Sequence, residues 1–225
     1  MEIAGIVKNS FVDYPGKIAT TIFTCGCNMN CWYCHNRDII TSTEGEYDAD
    51  KILAYIRERK GFLDGVVISG GEPTLQKDLK DFIAQVKDIG LAVKLDTNGT
   101  NPDLLKELID EKLIDYVAMD IKAPYNKYNI ITKIDSIDDV KKSVDILKTS
   151  GIKHEFRTTY APNLHEEDIL KLLEDIGPCE NYSLQQYKKP SFITNDLLEP
   201  HKPSEFEQIK SKAGELVKNF VIKNI

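Results

Sequence analysis

The feature that most constrains the fold is a regular alternation of short apolar segments with longer amphipathic ones along almost the whole chain. The short segments are rich in β-branched residues and bounded by turn residues, which predicts buried strands. These strands are predicted over residues 18–24, 65–69, 92–96, 116–120, 153–159 and 182–186. The amphipathic segments predict helices over residues 50–60, 77–89, 137–149, 166–176 and 203–220, and a further helix that starts at Pro102 behind an Asn101 N-cap.

Six strand-helix units in succession predict an α/β fold. Parallel neighbours need a crossover connection, and right-handed crossovers keep the helices on one side of the sheet. We favour an open, partial (β/α)6 barrel of the TIM type, with a doubly wound sheet as the alternative, since periodicity alone does not distinguish them. The units occupy residues 18–220 of a single domain, 1–225, and residues 1–17 precede them as a small strand or hairpin with a turn at 13–16.

The composition narrows the class of protein. With 225 residues, of which 41% are hydrophobic, the chain can bury one continuous core. The 29 basic and 36 acidic residues leave a formal charge of −7, and no basic cluster marks a nucleic-acid-binding surface. No segment reaches the roughly 18 apolar residues of a membrane span, and the amino terminus does not have the pattern of a secretory signal. We therefore expect a cytoplasmic protein with neither a nucleic acid nor a membrane as partner.

Four of the five cysteines fall within ten consecutive positions. An odd number of cysteines without a secretory signal argues for metal or redox chemistry over disulfides. Cys27, Cys31 and Cys34 follow the spacing C-x3-C-x2-C, which suits a 4Fe-4S cluster with one iron left free for a substrate or cosubstrate. The competing interpretation is a non-catalytic module with a structural zinc, whose four ligands would include Cys25 or His35.

Polar residues follow the predicted strands at their carboxyl ends, which gather on one rim in parallel βα folds and build the usual site there. They are Ser69-Gly70-Gly71-Glu72 after the second strand, Asp96-Thr97-Asn98-Gly99 after the third, Asp120 and Lys122 after the fourth, Arg157 within the fifth, and Gln185-Gln186 at the end of the sixth. Any one of them is also explained as a helix N-cap or an ordinary ion pair. Their shared position favours a binding or catalytic site.

The cysteine spacing on this rim, together with the Gly-Gly-Glu-Pro turn after the second strand, resembles the radical S-adenosylmethionine superfamily. More narrowly, four motifs resemble the activating enzymes of glycyl radical proteins: Tyr33-Cys34-His35-Asn36-Arg37-Asp38, Ser69-Gly70-Gly71-Glu72, Asp96-Thr97-Asn98-Gly99 and Asp120-Ile121-Lys122. The opening Ser-Phe-Val-Asp-Tyr-Pro-Gly-Lys and the compact length are most similar to the activating proteins of anaerobic ribonucleoside-triphosphate reductases. The resemblance covers about residues 10 to 190.

The resemblance implies roles for the residues at matching positions. Cys27, Cys31 and Cys34 would hold one 4Fe-4S cluster and, with Lys122, form the catalytic set. Contacts to S-adenosylmethionine would come from the rim, from Tyr33, Cys34, His35, Gly70, Gly71, Glu72, Asp96, Thr97, Asp120, Ile121, Lys122 and Arg157. Asp96, Thr97 and Asp120 would also hold a monovalent cation, for which oxygen ligands are suited.

The resemblance also implies a reaction and its partners. With flavodoxin or ferredoxin as electron donor, S-adenosylmethionine would be reductively cleaved at the cluster to a 5'-deoxyadenosyl radical. That radical would install a glycyl radical on a partner enzyme of the anaerobic ribonucleotide reductase or pyruvate formate-lyase type. A radical enzyme acting on a small molecule, similar to 7-carboxy-7-deazaguanine synthase, is the alternative within the superfamily.

Two departures from the family pattern are visible. The pyruvate formate-lyase activating enzyme has a cosubstrate-contacting histidine after the sixth strand, where this chain has Gln185 or Gln186. The chain also does not contain the eight-cysteine insertion of some members. Cys25 and Cys179 are the only thiols to spare, so the count excludes further ferredoxin-type clusters, and we expect both to be structural.

Overall fold

The structure is a computed structural model that describes residues 1–189 and 198–223. Its centre is one eight-stranded sheet whose strands lie side by side in chain order. The first strand runs antiparallel to the second, and the following pairs are parallel. The strands are β1 Ile3–Ser10, β2 Ala19–Thr24, β3 Gly65–Gly70, β4 Ala92–Thr97, β5 Tyr116–Asp120, β6 Lys153–Tyr160, β7 Cys179–Gln186 and β8 Val217–Lys223.

Helices connect the successive parallel strands. Those within the described residues are α1 Arg37–Ile40, α2 Ala49–Glu58, α3 Leu79–Ile89, α4 Pro102–Asp110, α5 Tyr128–Thr132, α6 Ile137–Ser150, α7 Glu166–Ile176 and α8 Pro203–Ala213. The predicted N-cap of α4 is present, because the Asn101 side chain accepts a hydrogen bond from the Leu104 amide. None of these helices has the length and apolar character that crossing a membrane requires.

The order of the strands decides between the two predicted architectures. A doubly wound sheet reverses its strand order at one point, from which helices cover both faces. Here the order never reverses, so successive right-handed crossovers place the helices on one face. β1 and β8 form the two edges and are not paired with each other, so the sheet stays open. The predicted open barrel of βα units is confirmed, and the doubly wound alternative is wrong.

The two faces of the sheet differ in chemistry. In β4, Val93 and Leu95 are fully buried in the main hydrophobic core, which they share with the apolar stripes of the helices. Because side chains alternate along a strand, Lys94 and Asp96 point the other way, into the interior of the open barrel. The interior therefore carries charged groups, and these lie directly beneath the carboxyl ends of the strands.

The segment between β1 and β2 closes the amino end of the barrel. Tyr14, in the predicted turn, is buried against Ala19 and Val67 in a second, small apolar cluster. The Thr21 hydroxyl donates a hydrogen bond of 2.7 Å to Asp13 Oδ2. These contacts fix the Asp13-Tyr14 segment inside the barrel, below the charged groups.

One predicted element is wrong. The last helix was expected to continue to residue 220, but α8 ends at Ala213, and Gly214 follows with a positive φ of 48°. Val217–Lys223 then forms β8, parallel to β7. The apolar residues of 216–220 extend the helical stripe of α8, and the same residues suit a strand, so the spacing alone misled the prediction.

Candidate functional site

A cavity of about 260 Å³ opens at the carboxyl ends of the parallel strands. The loop between β2 and α1, which carries the cysteines, forms one side of it, and the ends of the strands form the rest. Every predicted site residue except Ile121 lies on its wall. These residues are Cys27, Cys31, Tyr33, Cys34, His35, Gly70, Gly71, Glu72, Asp96, Thr97, Asp120, Lys122 and Arg157.

The cysteine loop, residues 25–36, is anchored to the fold by backbone hydrogen bonds. The Gly26 and Cys27 amides donate to carbonyl oxygens of α1 at 2.8 and 3.0 Å, so the short helix holds the start of the loop. The Asn30 amide donates to the Thr132 carbonyl at the end of α5 at 2.9 Å, which holds the middle. The loop conformation therefore depends on two short helices that the sequence did not predict.

The three thiols of the C-x3-C-x2-C motif are free and face the same cavity. Burial raises the pKa of Cys27 to about 11 and shifts the pKa of Cys31 in the same direction. The Met29 amide donates to Cys27 Sγ at 3.4 Å. Hydrogen bonds to cysteine sulfur are one of the means by which proteins tune iron-sulfur centres.

The donor set fits an iron-sulfur cluster better than a zinc ion. Among residues 1–189 and 198–223, no three His, Cys, Asp or Glu side chains converge so as to hold a single metal ion. Structural zinc needs four ligands around one centre, at about 2.3 Å for sulfur, and no such group is assembled among the described side chains. A cluster distributes its thiolates over separate irons. Cys25 does not lie on the cavity wall, and its Sγ contacts the Glu44 carbonyl at 3.3 Å.

Gly70 at the end of β3 and Gly71 directly after it are required because the backbone of residues 24–26 packs closely against them. A Cβ on Gly70, whose φ is 115°, would lie 2.2 Å from the Thr24 amide nitrogen. A Cβ on Gly71 would lie 1.9 Å from the Gly26 carbonyl oxygen. The resemblance implies that these glycines contact S-adenosylmethionine; in the structure they also permit close packing against Thr24 at the end of β2 and Gly26 in the cysteine loop.

Glu72 links the ends of β3 and β4. Its carboxylate is fully buried and accepts hydrogen bonds from the Thr74 amide and hydroxyl, the Thr97 hydroxyl and the Asn98 amide, at 2.6 to 3.1 Å. Burial raises the pKa of this carboxyl group, while the hydrogen bonds act against the shift. The side chain borders the cavity, but its oxygens are used to hold the protein together.

Tyr33 and His35, which the family resemblance assigns to the adenine side of S-adenosylmethionine, belong to an aromatic cluster. Tyr33 is buried, and its ring packs edge-on against Trp32 with 5.5 Å between centroids. The His35 ring is exposed and lies 6.5 Å from the ring of Tyr187, which also contacts Trp32. This cluster joins the cysteine loop to the segment that follows β7.

Two carboxylates and two cations form a connected chain across the cavity floor. The Arg157 guanidinium donates to Asp120 Oδ1 at 2.8 Å and to Asp96 Oδ2 at 3.1 Å, and Lys122 Nζ donates to Asp120 Oδ2 at 3.0 Å. Burial opposes ionisation of both carboxyl groups, yet the neighbouring cations lower the pKa of Asp96 and of Asp120 below their ordinary values. All four groups are therefore charged at neutral pH.

The arrangement does not fit the predicted monovalent cation. Both oxygens of Asp120 are engaged by Arg157 and Lys122, and the Thr97 hydroxyl donates to Glu72. Asp96 Oδ1 lies 2.9 Å from Nζ of Lys94, a residue that the sequence analysis did not single out. A hard cation needs several oxygen ligands around it at once. Here the cations of the protein occupy those oxygens.

Two further expectations can be located on the structure. Ile121 is fully buried and uses its backbone, since its amide donates to the Arg157 carbonyl and its carbonyl accepts from the Thr158 hydroxyl. Gln185 lies on the cavity wall, whereas Gln186 donates to the His201 carbonyl at 3.0 Å. Of the two glutamines, Gln185 is therefore the one that faces the cavity.

The cavity wall also includes residues that were given no individual role from the sequence. They are Met29, Asn36, Ile40, Ser69, Asn98 and Thr159. The Ser69 hydroxyl donates to Asp96 Oδ2, and the side-chain amide of Asn36 donates to the Gly70 carbonyl. Both residues lie inside motifs that the sequence analysis quoted, so the pattern gave a signal, but only the fold shows which members of each motif face the cavity.

The chain is similar to known proteins over most of its length. The Radical SAM superfamily pattern matches residues 21–176. A protein of Methanocaldococcus jannaschii named "Putative glycyl-radical enzyme activating enzyme" is 38% identical over 232 residues, 99% of this chain and 96% of that protein. The pyruvate formate-lyase-activating enzyme of Clostridium pasteurianum is 33% identical over 190 residues, 80% of this chain and 77% of that enzyme.

Solved structures share the fold at low sequence identity. Streptococcus suis SuiB bound to S-adenosylmethionine superimposes with a TM-score of 0.68 and 15% identity over 88% of this chain. The match covers 48% of SuiB, so the chain spans about half the length of that protein. At this identity the likeness concerns the βα architecture alone.

Proposed function

The chain belongs to the radical S-adenosylmethionine superfamily and, within it, to the glycyl-radical-enzyme activating enzymes, and we propose that it installs a glycyl radical on a partner enzyme. The partner would be of the anaerobic ribonucleotide reductase or pyruvate formate-lyase type. The observation that carries the proposal is the set of three free thiols facing one cavity, opposite a floor of ionised groups. Three protein ligands leave one iron of a 4Fe-4S cluster open.

Cys27, Cys31 and Cys34 would hold the cluster, and the remaining walls of the cavity would bind S-adenosylmethionine. When bound, these two groups supply a one-electron reductive cleavage that yields methionine and a 5'-deoxyadenosyl radical, with the electron drawn from flavodoxin or ferredoxin. This chemistry would remove a hydrogen atom from a glycine of the partner enzyme, so that 5'-deoxyadenosine is released and the glycyl radical stays on the partner.

The residues of the chain would orient the cosubstrate. Lys122 and Arg157 are cations that hydrogen bonds with carboxylates hold in place, so they meet a ligand carboxylate in a preorganised position. Met29 and Ile40 supply apolar wall, which helps to exclude water from a reactive carbon radical. Tyr33, Cys34 and His35 would line the adenine side, as the family resemblance implies.

The partner glycine would have to reach the cavity as an extended segment. An open sheet leaves more room for such a segment than a closed barrel does, because β1 and β8 are not joined. The wall position of Gln185, at the sixth parallel strand, would face either the cosubstrate or this segment.

The test is anaerobic reconstitution of the full chain with iron and sulfide, followed by assay for 5'-deoxyadenosine and methionine under dithionite. Candidate glycyl radical enzymes are then added, and the glycyl signal is sought by electron paramagnetic resonance. We expect about four irons and four sulfides per chain, cleavage of S-adenosylmethionine, and a glycyl signal with one class of partner. Stoichiometric zinc without sulfide, or cleavage that responds only to a small-molecule substrate, would contradict the proposal.

A further inference from the structure

A lysine lies inside the barrel where a charged side chain is costly to bury. Lys94, in β4, is 2% exposed. Its ammonium group lies 2.9 Å from Asp96 Oδ1 and donates to the Asp13 carbonyl at 2.6 Å. A buried ammonium group persists only when it is paired and hydrogen-bonded, and here both conditions are met.

The two oxygens that hold Lys94 come from different parts of the chain. Asp96 is at the end of β4, on the cavity floor, and Asp13 belongs to the segment that closes the amino end of the barrel. The Asp13 carboxylate is occupied by the Thr21 hydroxyl, and the Asp13 amide donates to the Ser10 hydroxyl at 3.1 Å. The Asp13 carbonyl is thereby held toward the barrel interior. The ammonium group thus connects the closed end to the floor of the cavity.

The cavity floor is complete without an added cation. Asp96 has Lys94 on one oxygen and Arg157 on the other, and Asp120 has Arg157 and Lys122. Three protein cations therefore face two carboxylates, and the pairing leaves a net charge of +1. A monovalent metal ion at Asp96 Oδ1 would have to displace the ammonium group of Lys94, whose side chain is buried.

We propose that Lys94 is the fixed monovalent cation of this site, a positioning residue that holds Asp96 at the cavity floor so that no metal cation is required. The ammonium group has the charge of a sodium or potassium ion and, like them, is held by oxygen atoms. It differs in being covalently attached, so its occupancy does not depend on salt. The inference rests on the proposed function only for the identity of the ligand above the floor.

The test uses thermal unfolding of the full chain without cluster or S-adenosylmethionine, in chloride salts of potassium, sodium, ammonium and choline at equal ionic strength. We expect the wild-type midpoint to be the same in all four salts. Lys94→Ala leaves two oxygens and a space, so its midpoint should be lower in choline and recover saturably with potassium or ammonium ions. Lys94→Met removes the charge but fills the space, so its midpoint should be lower without ion-selective recovery.

Two results would overturn the inference. One is a wild-type midpoint that rises selectively and saturably with potassium or sodium over choline. The other is a folded Lys94→Ala protein with the same midpoint in all four salts. Should Lys94→Ala fail to fold, the wild-type comparison still decides, because it alone asks whether the native site takes up a metal cation.

A second measurement separates this inference from the proposed function. In the reconstituted protein, the dissociation constant of S-adenosylmethionine should change little for wild type between potassium and choline chloride. For Lys94→Ala it should rise by about tenfold in choline, since Asp96 then keeps Arg157 on one oxygen but has no cation on the other and is held less firmly, and recover in potassium. If the reconstituted protein binds no S-adenosylmethionine, the proposed function fails, and the unfolding experiment still decides the role of Lys94.

Discussion

The cysteine loop and the charged floor face each other across one cavity, and they differ in what the chain supplies. On the floor, both carboxylate oxygens of Asp96 and of Asp120 are paired with lysine or arginine side chains. In the loop, three thiols stand on the wall without any protein group that completes a metal site within the described residues. The chain therefore supplies the charged groups of the cavity floor itself, whereas redox chemistry at the thiols would need an added group.

The ionisation of the two regions shows the same division. Burial favours the protonated form of the Cys27 and Cys31 thiols, so iron would have to displace protons in order to bind there. On the floor, the cations outweigh burial and keep both carboxyl groups ionised. The floor is therefore preorganised in the chain itself, whereas the loop reaches its functional state only with its cofactor.

The largest effect is expected in the loop. Cys31→Ala should abolish cluster binding and S-adenosylmethionine cleavage, because two thiolates do not hold a 4Fe-4S cluster that normally uses three or four. The free energy of unfolding of the apo chain should fall by only about 1–2 kcal/mol, as expected for loss of a small buried side chain. Iron and sulfide content, 5'-deoxyadenosine yield and urea denaturation measure the three quantities.

Cys179→Ala is the matched control for Cys31→Ala. This thiol is partly buried in β7, away from the cavity, and should leave iron content and cleavage unchanged. If cleavage of S-adenosylmethionine survived in Cys31→Ala, or were lost in Cys179→Ala, the assignment of the redox site to the cysteine loop would be wrong.

The next effect concerns the floor. Arg157→Met leaves Asp96 and Asp120 facing each other without the guanidinium group that both contact, and removal of one partner from a buried charge network costs about 3–5 kcal/mol. Urea denaturation of the apo chain should show this loss without any cofactor. The exposed Arg57→Met is the control and should unfold like wild type. If both variants had the same stability, the floor would not be a preorganised network.

Much of the fold follows from local patterns. The six parallel strands and their helices carry strong periodicity, and caps such as Asn101 mark their ends. The short helices α1 and α5, at Arg37–Ile40 and Tyr128–Thr132, do not, because four or five residues give no periodic signal. Strand β8 was missed because its apolar residues also continue the stripe of the preceding helix.

The position of the site could be predicted from the sequence, but the hydrogen bonds and ion pairs within it could not. Parallel topology brings strand ends together, which is why nearly every predicted residue lines the cavity. Which groups pair there depends on distances between strands that are remote in sequence. In the sequence, Lys94 is an isolated polar residue within a strand, and only the folded position of the Asp13 carbonyl explains why a lysine is buried there. The family resemblance placed Glu72 among the S-adenosylmethionine contacts, and only the folded strand ends show that its oxygens accept hydrogen bonds from Thr74, Thr97 and Asn98.

A smaller loss of stability is expected from a change at Glu72, which links the ends of β3 and β4. Glu72→Gln keeps the shape but replaces one acceptor oxygen by a donor that faces the Asn98 amide, so a buried hydrogen bond is lost and a donor is left unpaired. The expected loss of stability is about 1–3 kcal/mol. Hydrogen exchange of the Asn98 and Thr74 amides should speed up in the variant. Glu107→Gln, on the exposed face of α4, should leave both amides unchanged.

The smallest effect tests how far the charged floor extends. Lys223, in β8, donates to the buried Glu155 carboxylate at 2.8 Å but is itself one-third exposed. Burial opposes ionisation of Glu155, yet Lys223 and Ser183 lower its pKa, so this contribution to stability is present above the unfolded pKa of about 4.3 and is lost as pH falls through the lower folded value. Lys223→Met should cost at most about 1 kcal/mol at pH 7, because solvent screens the pair, and the difference should shrink below pH 4. Lys218→Met is the control, because the pair of Lys218 with Glu180 is exposed, and its stability should show no such pH dependence. If the loss of stability depended on pH equally in both variants, the preorganised floor would be confined to β4, β5 and β6.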